Sequence, residues 1–127
     1  MSDRFFYQAK VLNVIDGDTI DLLIDLGFNV HHQIRVRLNG VNTPESRTTD
    51  LEEKALGLKA KDFTKDWTTR HPVVFVSTVK DKKEKFGRIL ALIYSDEKKT
   101  ACLNEDLIGS GYARAYNGEK RDGWFAS

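Results

Sequence analysis

Residues 34–45 read IRVRLNGVNTPE, and the rest of the chain is organised around them. Ile34, Val36 and Leu38 alternate with Arg35 and Arg37, the period-2 signature of a half-buried strand with one apolar and one cationic face. Asn39-Gly40 is a turn pair. A second short segment then stops at Pro44, whose ring fixes its own φ and pushes Thr43 toward an extended conformation. Glu45 follows at once. The stretch therefore holds an Asn side chain, a Thr carbonyl and a Glu side chain near one another, with Arg37 approaching from the strand. A cation beside a carboxylate and hard oxygen donors is the equipment for attacking a phosphodiester. Taken alone, the stretch reads equally well as a strand, a turn and ordinary surface charges, because charged strand faces are common.

Toward the N-terminus, Phe5 to Ile15 is rich in aromatic and β-branched residues and is expected to form the first strand. Asp16-Gly17-Asp18 is a tight turn, Thr19 to Leu26 a second strand, and Leu26 to Asn29 another turn before a third strand from about His32 to Leu38. Short connections make these three an antiparallel meander. Beyond Pro44, the polar segment Ser46 to Asp50 breaks the β pattern. Thr49 with Glu52 fits a capping box, and Leu51, Ala55, Leu58, Phe63 and Trp67 keep roughly helical spacing up to Arg70. Gly57 weakens the first half, so a start as late as that residue is compatible with the pattern. Val73 to Val79 is an apolar, central fourth strand, Lys80 to Lys85 a charged loop, Ile89 to Tyr94 the fifth strand, and Leu103 to Ile108 a short helix stopped by Gly109 and Gly111. The expected fold is α+β: a five-stranded OB-type Greek-key β-barrel with two helices, in one domain over residues 1–127.

Composition narrows the function. Lys+Arg 20 against Asp+Glu 19 leaves a net charge of +1, so any affinity for nucleic acid must come from a local patch. The single cysteine, Cys102, excludes an internal disulfide framework and a multi-Cys zinc site, and its apolar neighbours mark it as a buried thiol. No apolar leader follows Met1 and no run approaches membrane-spanning length. The chain as given is expected to be cytoplasmic, with no membrane partner; secretion stays open if a signal peptide was removed. His31 and His32 read as surface residues at a turn-to-strand junction.

Three segments carry possible chemistry. Asp16-Gly17-Asp18-Thr19 places two carboxylates on a turn, which suits Ca²⁺ or Mg²⁺, although Asp is also simply a preferred turn residue. Arg37 with Asn42-Thr43-Pro44-Glu45 is the second. The third is Lys85-Phe86-Gly87-Arg88, where Gly87 admits close backbone approach and Arg88 can grip phosphate oxygens bidentately. Lys82, Lys83 and Lys85 form a local basic patch that either steers a polyanion or is a solvated loop balanced by Asp81 and Glu84.

Ile-Asp-Gly-Asp-Thr, Val-Asn-Thr-Pro-Glu and Lys-Phe-Gly-Arg, in this order and spacing, resemble the staphylococcal (micrococcal) nuclease family, from about Phe5 to Tyr116. The compact ending resembles the short phage-type members more than the secreted enzyme. The resemblance implies a calcium-dependent phosphodiesterase acting on DNA and/or RNA, leaving 3′-phosphate ends, with Mg²⁺ or another divalent ion as the alternative cofactor. It implies that Asp18, Asn42 and the Thr43 carbonyl hold the metal, that Glu45 is the general base, and that Arg37 and Arg88 bind the phosphate and stabilise the transition state. Lys85, Phe86 and Tyr116 would contact nucleic acid, with Tyr112 the rival for base stacking. Three departures stand out against the family pattern: Asn42 replaces a ligand Asp, Phe86 replaces a Tyr, and the long C-terminal helix has no counterpart. The rival reading is a catalytically inactive OB-fold module that binds single-stranded nucleic acid. The sequence leaves the oligomeric state open.

Overall fold

The computed structural model describes residues 5–83 and 89–115. Three antiparallel strands, β1 (Phe6–Asp16), β2 (Thr19–Asp25) and β3 (His31–Leu38), form the expected meander. After a short β4 (Val41–Asn42) comes helix α1 (Leu51–Arg70), then β5 (Val73–Lys83), β6 (Ile89–Tyr94), helix α2 (Leu103–Gly109) and a short β7 (Arg114–Ala115). The barrel closes in the order β1-β2-β3-β6-β5, with β6 parallel to β3 and β5 antiparallel to both β1 and β6. This is the α+β, OB-type Greek-key barrel with two helices that the sequence predicts. A detail absent from the prediction is the two-stranded β4-β7 sheet, which pairs Asn42 with Arg114. No helix among the described residues is long and apolar enough to cross a membrane.

The barrel interior follows the period of two. Ile20 and Leu22 of β2, Val36 and Leu38 of β3, Val74 and Val76 of β5, and Ala91 and Ile93 of β6 are all buried. Leu103 and Leu107 of α2 and Trp67 of α1 seal the ends of this core. Each fully buried large side chain stabilises the fold by about 1.5–3 kcal/mol. Trp67 also donates from Nε1 to Asp106 Oδ2 at 2.9 Å, which ties α1 to α2.

Helix α1 differs from its sequence reading in two ways. Its N-cap is Asp50, whose Oδ1 accepts from the N–H groups of Glu52 and Glu53 at 3.1 and 3.2 Å, so the Thr49–Glu52 capping box is not what starts the helix. A carboxylate at that position satisfies two orphan donors and also meets the positive end of the helix dipole. The helix runs unbroken through Gly57, and its buried face is Gly57, Ala60, Thr64, Trp67 and Thr68. Leu51 is 77% exposed, and Ala55 and Leu58 also face outward. The reason is the surface beneath. A Cβ on Gly57 would lie 2.4 Å from the carbonyl carbon and oxygen of Glu45, and one on Gly17 would lie 2.9 Å from Ala60 Cβ. The helix rests on loop backbone, and only small residues let it approach that closely. Thr64 completes the contact by donating to Gly17 O at 2.7 Å.

Candidate active site

The β1-β2 turn is held under α1 by Gly17 and Thr64, and it delivers Asp18 to the mouth of the barrel. Asp18 is buried. Its Oδ1 accepts from Thr19 Oγ1 at 3.0 Å, and its Oδ2 accepts from the Thr43 backbone N–H at 3.3 Å and from Arg37 Nη2 at 3.5 Å. One carboxylate thus joins the start of β2, the end of β3 and the loop after β4.

Arg35 and Arg37 share a strand face but not an environment. Arg35 pairs with its cross-strand partner Asp21 through two bonds of 2.8 and 3.2 Å, at an exposed position. That hydrogen bond, reinforced by the Asp21 charge, raises its pKa further. Arg37 is only 4% exposed, so the expected solvated cationic face ends one residue pair before the strand does. A buried guanidinium carries a desolvation cost that Asp18 offsets. An arginine kept there at that cost has a position to hold.

Asn42 and Thr43 follow on β4 and its exit. Asn42 Oδ1 is buried and accepts no hydrogen bond among the described residues. Such an atom costs about 1–3 kcal/mol unless something completes it. Glu45 is exposed at the rim. Its backbone N–H donates to Glu53 Oε2 of α1 at 3.0 Å. Ser46 is buried, and its Oγ donates to Asp16 Oδ1, while Arg47 Nη2 lies 3.5 Å from Asp16 Oδ2. The second carboxylate of the turn is therefore engaged in anchoring the loop. Asp16, Asp18, Thr19, Arg37, Thr43, Pro44, Glu45 and Arg47 line one cleft of about 420 Å³.

Of the residues predicted for the site, Asp18, Arg37, Thr43 and Glu45 line this cleft, and Asn42 directly precedes Thr43. Lys85, Phe86, Arg88 and Tyr116 lie outside the described residues. Tyr112, the rival for base stacking, packs against Phe63 of α1 with ring centroids 5.4 Å apart. Ser46, Arg47 and Glu53 were not predicted. Ser46 and Arg47 could have been found from their place directly after Glu45; nothing in the spacing of Glu53 distinguishes it from other first-turn acids. Cys102 is buried as expected, and burial pushes its thiol pKa up. His31 and His32 are exposed.

A hard cation fits the donors present. Asp18 offers a carboxylate, Asn42 a buried amide oxygen without a hydrogen-bond partner among the described residues, and Thr43 a backbone carbonyl. Among the described residues no group of three or more His, Cys, Asp or Glu side chains converges.

The family model for the staphylococcal nuclease homologue matches residues 35–123. The chain belongs to that family. Thermonucleases of Staphylococcus hyicus and Staphylococcus intermedius are each 36% identical to it, over 106 and 105 residues, covering 84% and 83% of the chain. An uncharacterized protein of Methanocaldococcus jannaschii is 32% identical over 129 aligned residues, covering 87% of the chain. The chain spans 57%, 57% and 59% of the lengths of these three relatives.

Proposed function

We propose that this chain is a metal-dependent phosphodiester hydrolase that cleaves DNA and/or RNA with little sequence preference and leaves 3′-phosphate and 5′-hydroxyl ends. The observation that carries the reading is the convergence of buried Asp18 and Arg37 with exposed Glu45 in one cleft. Thermonuclease relatives support the same reaction class. Ca²⁺ is the proposed cofactor, with Mg²⁺ or another divalent ion as the alternative. Asp18, Asn42 Oδ1 and the Thr43 carbonyl would hold it, and when bound it would supply positive charge to the scissile phosphate.

The chain's own residues then have distinct tasks. Glu45, exposed at the rim, takes a proton from the attacking water. The water oxygen bonds to phosphorus as the bond to the 5′ oxygen breaks, and that oxygen takes a proton from solvent to leave as the hydroxyl. Arg37 donates to the non-bridging oxygens, where negative charge grows. Asp18 keeps the guanidinium in place through its 3.5 Å contact and fixes Thr43 from the same oxygen. Arg88 is proposed as the second guanidinium, on its motif alone. Contacts of this kind read phosphate and carry no sequence information. Single strands should be favoured, because the scissile phosphate must enter a cleft lined by buried groups.

The second reading is an inactive OB-type module that binds single strands. Asn42 favours it, since one ligand charge is missing. Release of acid-soluble nucleotides from denatured DNA, in Ca²⁺, in Mg²⁺ and in chelator, separates the two. Metal-dependent release supports the hydrolase. No release in any metal, with single-strand binding intact by gel shift, supports the module.

A further inference from the structure

We propose that the first two turns of α1 form a clamp that sets the position of Glu45, with Glu53 and Gly57 as positioning residues; the catalytic consequence rests on the hydrolase reading above. Glu53 and Gly57 are spaced i, i+4 and so share one face of the helix. That face grips the loop at neighbouring points. Glu53 Oε2 accepts from the Glu45 N–H at 3.0 Å. One turn on, the missing side chain of Gly57 makes room for the next peptide: a Cβ there would stand 2.4 Å from Glu45 C and O and 2.7 Å from Ser46 N. On the far side, buried Ser46 is tied through its hydroxyl to Asp16 at the end of β1.

The Glu45 backbone is therefore fixed from both sides. Pro44 limits the chain before it, Glu53 holds its N–H, and Gly57 and Asp16 hold the peptide and hydroxyl after it. Only the side-chain torsions of Glu45 stay adjustable. The Glu53 backbone is itself held, because its N–H is capped by Asp50 Oδ1 at 3.2 Å. This matters because a reacting group must stay within roughly 0.5 Å of its productive place, and a misplacement of about 1 Å can cost about 100-fold in rate. The role of Glu53 is to aim Glu45.

Two substitutions separate aim from charge and from folding. Glu53→Gln removes the charge and keeps an oxygen acceptor. Glu53→Met removes both and keeps the length and helix propensity of the side chain. Both lose the same favourable charge at the helix N-terminus, and Glu53→Met also loses one exposed hydrogen bond, so its melting temperature should lie no more than about 5 °C below that of Glu53→Gln. With denatured DNA and Ca²⁺, Glu53→Met is expected to lower kcat about 10- to 100-fold with KM nearly unchanged, and Glu53→Gln to restore kcat to within about three-fold of the wild type. Hydrogen exchange of the Glu45 amide gives an activity-independent reading: protected in the wild type and in Glu53→Gln, fast in Glu53→Met. Wild-type kcat in Glu53→Met, or equal loss in both variants, overturns the clamp. An inactive wild type would overturn the hydrolase reading, and the amide exchange pattern would still decide the clamp.

Discussion

Replacing Asn104 with leucine, a side chain of similar shape, should destabilise this protein measurably. Asn104 is 3% exposed and links three elements. Its Nδ2 donates to Asn39 O at 2.9 Å and to Ala91 O at 3.0 Å, and its Oδ1 accepts from Ile93 N at 3.1 Å. The Asn104→Leu side chain would make none of these bonds and leave no room for a replacing water. Ala91 O keeps a second partner, the Asn39 N–H at 2.8 Å. Asn39 O and Ile93 N lose the partner described. At about 1–3 kcal/mol for each buried group left unsatisfied, the loss is about 2–6 kcal/mol. Burial of the leucine itself returns about 1.5–3 kcal/mol, so a net destabilisation of about 2 kcal/mol is expected. Urea unfolding should show the midpoint falling by about 1–2 M at unchanged slope. Thermal unfolding should show a drop of roughly 8 °C, at about 4 °C per kcal/mol for a chain of this size. A variant within about 0.5 kcal/mol of the wild type would refute the claim that Asn104 is the polar link between α2, β6 and the turn leading to β4.

Arg37→Lys keeps the charge but loses the planar fork, and activity should fall by about 100- to 1,000-fold, as for the loss of one oxyanion donor; steady-state cleavage of denatured DNA checks this. Asn42→Asp adds a ligand charge, so calorimetric titration should show Ca²⁺ binding tightened by roughly ten-fold or more; unchanged affinity would remove Asn42 from the metal site. The buried Cys102 thiol should resist a disulfide reagent in the native protein and react fully in denaturant. Since burial raises its pKa in the fold, its stabilising contribution is complete below the unfolded thiol's value of about 8.5 and is lost as pH rises through the folded one, which unfolding measured from about pH 7 to 10 would register.

The barrel was legible because its strands carry their period openly: Ile34, Val36 and Leu38, or Thr19 to Asp25, can face only one way. The site was legible in its residue types, since Asp18, Arg37, Thr43 and Glu45 do line one cleft. What could not be read was contact made by absence or by backbone. Gly57 looked like a weak point in a helix and is where the helix meets the Glu45 peptide. Leu51, Ala55 and Leu58 match a helical period, yet the first half of the helix turns Gly57, Ala60 and Thr64 inward, because there it packs on loop backbone, and only further on does Trp67 enter the core. Arg35 and Arg37 look alike in sequence, but Arg37 meets buried Asp18 just before β2, while Arg35 pairs with Asp21 at an exposed position.

The most direct test of the account is to compare wild type with Glu45→Gln in Ca²⁺, measuring both binding and cleavage of one labelled single strand. The account predicts that the variant still binds metal and strand while cleavage falls by about 100-fold or more. Cleavage by Glu45→Gln at the wild-type rate would contradict the central claim that Glu45 is the base of this site.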